Sequence, residues 1–72
     1  MYKIWFFADD AHEPTHVATY DSFDAAFETV ERTFGLDWYG AGYEALHSGG
    51  STRTEHYDGC TGTLVCVRLT GL

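Results

Sequence analysis

The groups in this chain best suited to hold a metal or move a proton are four histidines, two cysteines and eleven carboxylates. His12 and His16 stand at i and i+4, a spacing that brings two imidazoles together on a helix, but Pro14 lies between them and breaks any such helix. Cys60 and Cys66 are separated by five residues, which matches none of the usual zinc spacings. No metal or other cofactor is therefore expected. A disulfide between the two is disfavoured because Cys66 falls in the middle of a strand pattern, where it reads as a small buried hydrophobe, whereas Cys60 belongs to a loop. Nucleophilic catalysis needs a thiol or hydroxyl beside a base and an orienting acid. Cys60, His56 and Asp58 supply the types, yet all three crowd into one short polar loop that offers no cleft to exclude water. Asp9 and Asp10 are adjacent carboxylates of the kind that do acid/base work, but in a loop they are solvated. Gly49-Gly50 is not followed by Lys and a helix, so it does not form a phosphate cradle. An enzyme is not expected.

What remains is binding, and charge narrows the partner. The 72 residues carry 11 Asp and Glu against 4 Lys and Arg, a formal net charge of −7. Phosphate contacts dominate nucleic-acid affinity, so a chain of this sign does not bind nucleic acid directly. The excess sits in residues 1–44, which hold nine of the acids and two of the bases. The plainer explanation of such acidity is solubility, since an acidic surface keeps molecules apart.

Patterning indicates the elements that carry these charges. Residues 2–9 alternate, with Tyr2, Ile4, Phe6 and Ala8 on one face and Lys3, Trp5, Phe7 and Asp9 on the other, which is a strand period. A polar loop ending at Pro14 leads into a second β-rich run over 15–20, and the two form a hairpin. The period then changes. Phe23, Ala26, Phe27, Val30 and Phe34 recur at helical spacing, Asp21 or Ser22 can cap the first turn, and Gly35 supplies the left-handed stop. The other side of this helix carries Asp24, Glu28 and Glu31, a stripe rising about 6 Å per step, with Arg32 four residues after Glu28 as a weak partner. The spacing of Tyr39, Ala41, Tyr43, Ala45 and His47 suits a kinked strand over about 42–48, with Gly49-Gly50 turning the chain into a polar edge strand over 52–57. Residues 63–70 close the chain as a strong strand, Val65, Val67 and Leu69 on one side and Leu64, Cys66 and Arg68 on the other.

The implied architecture is a single α+β domain over residues 1–72: an antiparallel sheet of four to five strands, in chain order β-β-α-β-β with an optional further strand, covered on one face by a single helix. One helix covers one face only, so Trp5 and Phe7 are expected on an open face, a feature that marks protein-protein or self-association surfaces. The stripe of Asp24, Glu28 and Glu31, joined by Asp9, Asp10 and Glu13 of the neighbouring loop, would present an anionic field to a cationic groove.

A short acidic chain with one helix on a small sheet, the KIWFFADD hairpin start, the DSFDAAFETVERTFG helix and the closing TLVCVRLT strand resembles, in general plan, the small inhibitors that phages encode against host defences, anti-CRISPR proteins among them. The resemblance implies a non-enzymatic, DNA-mimicking inhibitor. Its partner would be a basic nucleic-acid-binding complex such as a CRISPR effector, met through Asp9, Asp10, Glu13, Asp24, Glu28, Glu31, Trp5 and Phe7. No run reaches a membrane span and the first residues lack a basic stretch before an apolar core, so a cytoplasmic location is expected, that of the host cell if a phage encodes the protein. The alternative is a small accessory or regulatory domain that forms a homodimer through its open face, its acidity serving solubility.

Overall fold

In the computed structural model, which describes residues 1–35, 40–56 and 59–69, the alternating N-terminal run forms β1 (Tyr2–Ala8) and pairs antiparallel with β2 (Thr15–Tyr20). The connecting loop begins as a turn closed by the Ala11 amide on the Ala8 carbonyl at 3.2 Å. Pairing of the two strands is interrupted once. Ile4 faces Ala18 and Trp5 faces His16, so β2 carries one extra residue, Val17. This bulge turns Val17 toward the core, where it is half-buried, and leaves His16 edge-on to Trp5 on the opposite face, ring centres 5.2 Å apart.

The helix α1 (Phe23–Phe34) forms as its spacing predicts. Ser22 is the N-cap, its Oγ accepting from the Ala25 amide at 3.2 Å, and Gly35 ends the helix at φ 71° with its amide donating to the Glu31 carbonyl at 2.7 Å. Phe23, Ala26, Phe27 and Val30 are buried against the sheet.

The expected strand over 42–48 is instead a second helix, α2 (Ala41–His47). Alternation in this segment is misleading because the decisive contacts lie at i, i+3 and i+4: Tyr43 and Leu46 turn inward, and exposed His47 lays its ring against the edge of the core. Tyr43 stands edge-on to Phe23 and Phe27 at 5.2 and 5.1 Å, His47 meets Phe23 at 5.0 Å, and Leu46 is fully buried. Gly49, at φ 83°, donates to the Leu46 carbonyl at 3.0 Å and Gly50 to that of Ala45 at 2.9 Å, so the glycine pair ends a helix rather than linking two strands.

Polar β3 (Ser51–Glu55) and apolar β4 (Thr61–Arg68) complete an antiparallel sheet in the order β2-β1-β4-β3. β3 occupies an edge, as its composition predicts, while Tyr57 and Thr70, expected in the last two strands, lie outside the described residues. The chain is thus α+β, with four strands and two helices among the described residues. Both helices lie on one face: α1 over the β1–β2 half and α2 over the β3–β4 half, meeting in a single core with Ile4, Phe6, Ala18, Leu64 and Cys66. Among the described residues the largest fully enclosed side chains are Phe27, Ile4, Leu46, Leu64 and Val30, and burial of each is worth roughly 1.5–3 kcal/mol.

Candidate functional site

Two surfaces and one cleft collect the residues singled out by sequence. The first surface is the outer side of the helical layer. Asp24 and Glu28 are exposed and Glu31 is half-buried at successive turns of α1, with exposed Asp21 before the helix and exposed Glu44 on α2. Arg32 is the basic residue of α1's last turn. Asp24 also has a structural tie, because the Tyr43 hydroxyl donates to its Oδ1 at 3.0 Å and so links the first turn of α1 to α2.

The second surface is the uncovered face of the sheet. Lys3, Trp5 and Phe7 of β1 lie beside Val67, Val65 and Thr63 of β4, with His16 and Thr19 of β2 and Ser51, Arg53 and Glu55 of β3 completing the rows. Trp5 is half-buried, Lys3 Nζ lies over its ring at 5.0 Å, and Phe7 and Val67 are 42% and 41% exposed. The His16 ring is held by Thr19, Nε2 to Oγ1 2.6 Å.

The loop acids divide between these regions. Asp9 continues the outward side of β1 and is gripped by Arg53, whose Nη1 and Nη2 donate to its two carboxylate oxygens at 2.8 and 2.7 Å. That guanidinium, by hydrogen bonding first and by its charge second, holds the Asp9 carboxyl below its ordinary pKa, and Asp9 in turn raises that of Arg53. Asp9 is thereby committed to the open face and does not join the α1 stripe. Asp10 points elsewhere and accepts from Cys60 Sγ at 3.6 Å. Glu13 is exposed in the loop.

The cleft, 410 Å³, opens where the ends of β1 and α1 meet the start of β2 and the β3–β4 connection. Phe6, Phe34, Thr33, His16, His56 and Cys60 are among its lining residues, and the Phe34 and His56 rings meet edge-on at 5.0 Å. Convergence of Cys60 with Thr33, Phe34 and His16 was not legible from spacing, since these residues come from three separate segments. Asp58, the third member of the conceivable nucleophilic set, lies outside the described residues. Cys66 is buried and Cys60 half-buried, both as thiols, and burial raises the Cys66 pKa. Among the described residues no three His, Cys, Asp or Glu side chains are placed to hold a metal ion, and no helix is long and apolar enough to cross a membrane.

No family model matches this chain, and neither a curated protein nor a solved structure matches it significantly.

Proposed function

We propose that this protein is a non-enzymatic inhibitor that binds a basic nucleic-acid-handling complex, of the kind a CRISPR effector represents, through the outer side of its helical layer. The observation that supports this reading is the segregation of charge. Asp21, Asp24, Glu28, Glu31 and Glu44 outnumber Arg32 and Arg68 on the helical side of the sheet, whereas Lys3 and Arg53 offset Asp9 and Glu55 on the other. Three carboxylates at successive turns of α1, rising about 6 and then about 4.5 Å, set negative charges in a row, as one strand of nucleic acid does with phosphates about 3.4 Å apart along its axis. A groove that presents Lys and Arg in rows to hold those phosphates would accept such a layer in their place, and long-range attraction would speed the encounter. The mechanism is occlusion: the inhibitor occupies the groove and target DNA is excluded.

The test is direct competition. Purified effector complex is mixed with labelled target DNA and increasing amounts of this protein, at low and at raised salt. The reading expects displacement of DNA that weakens with salt and is abolished in the triple variant Asp24→Lys, Glu28→Lys, Glu31→Lys. Displacement insensitive to both would sink electrostatic mimicry, and no displacement from any DNA-handling complex would sink the inhibitor reading itself.

A further inference from the structure

We propose that the open face of the sheet is a self-complementary interface on which a second copy of this chain docks with its strands reversed, giving a reversible two-fold dimer. This inference is independent of the inhibitor reading, because it uses the opposite side of the molecule.

The argument begins with charge. Two chains of net charge −7 repel over most of their surfaces. On the open face Lys3 and Arg53 are matched by Asp9 and Glu55, so two copies can approach there without that penalty. The centre of the face is apolar, formed by Trp5, Phe7, Val65 and Val67, and both described helices lie on the other side of the sheet.

The order of the charges along the strands then selects the orientation. Lys3 stands in the row with Thr19 and Val67 at one end of the sheet, and Glu55 in the row with Thr61 at the other, where the Asp9 amide bonds to the Thr61 carbonyl. Arg53 lies one row inside Glu55 and is already occupied by Asp9. A two-fold axis in the plane of the interface and perpendicular to the strands lays each strand over its own copy reversed, so Lys3 of one β1 meets the Asp9 end of the other β1, twice by symmetry. An axis along the strands would instead place like ends together. The reversed arrangement also brings the two apolar centres into contact. Strands of five to eight residues spaced about 4.8 Å offer a footprint on the order of 400 Å² per copy, below the roughly 1,000 Å² in total that a stable interface clears, so the dimer is weak and reversible. It displays an acidic helical layer on each outer side.

Sedimentation equilibrium across micromolar to millimolar protein provides the test. The expected result is a mass rising toward twice the monomer's. Phe7→Ser and Val67→Ser, at positions already exposed to solvent, should each remain monomeric with an unchanged far-ultraviolet spectrum. Lys3→Glu should weaken association about tenfold, since it removes two symmetric contacts and adds two repulsions. The triple helix variant used against the inhibitor reading should dimerise as the native chain does. A monomer at millimolar concentration or an undiminished Lys3→Glu dimer would each overturn the proposal while leaving the inhibitor reading intact.

Discussion

Along β1, Ile4 and Phe6 are 0% and 5% exposed beneath the helices, while Phe7, one residue further on, is 42% exposed on the other side of the same strand. Both faces present large apolar side chains, and what separates them is the covering layer. On the covered face α1 and α2 contribute Phe23, Phe27, Val30 and Leu46, and polar groups are confined to the margins. On the open face the aromatic Trp5 is bordered by Lys3, His16, Arg53 and Thr63, each of which reaches a neighbour of its own. The first face therefore carries the larger share of the fold's stability, and the second leaves Phe7 and Val67 in solvent.

Substitution of matched residues on the two faces is the strongest way to break that comparison. Phe27→Ala removes a fully buried ring that packs on both Phe23 and Tyr43, and should cost about 3–5 kcal/mol, most of the stability of a domain this small. Phe7→Ala, measured dilute enough to keep the chain monomeric, should change stability by less than about 0.5 kcal/mol. Chemical denaturation of the two variants checks both. Comparable losses would mean that the open face is a second core.

A smaller effect separates the faces at one glycine. Gly62 is buried in β4 opposite Ala8, and a Cβ there would come within 2.6 Å of the Phe6 ring and 2.5 Å of the Phe7 carbonyl. Gly62→Ala should therefore cost about 1–3 kcal/mol by overpacking. Thr63→Ala, one residue along on the open side, should cost far less, and thermal melts would show the contrast. Thiol labelling sharpens it further: half-buried Cys60 should react in the native state, whereas Cys66, beneath the helices, should react only on unfolding.

These particulars show which parts of the fold were legible in the sequence. α1 and the hairpin were, because their apolar residues keep one period over a full element and end in a cap or a turn. The placement of Trp5 and Phe7 away from the helices followed from the same alternation. α2 was not, since its seven residues are too few to display a helical period and the rings of Tyr43 and His47 gain their meaning only from Phe23. The site shows the same limit. The stripe on α1 could be read from spacing within one helix, but the diversion of Asp9 to Arg53 depends on a strand 44 residues away that pairs through β4. Local patterns report local geometry, and a loop acid between two surfaces is assigned by long-range pairing.

That diversion yields the smallest predicted effect. The Asp9 and Arg53 side chains are 54% and 59% exposed, so solvent screens the pair and its contribution to stability is minor. Its pH dependence nevertheless has a definite sign. Arg53 holds the Asp9 pKa in the folded chain below its unfolded value, so the stabilisation is present above the unfolded carboxylate range and disappears as pH falls through the folded pKa. Asp9→Asn should therefore be slightly less stable than the native chain at neutral pH and should converge with it in acid, as followed by thermal melts across that range. Raised salt should shrink the neutral-pH difference, because the pair lies at the surface. A gap that survived acid and salt alike would show Asp9 acting through packing rather than charge, and the open face would then contribute to the fold in its own right.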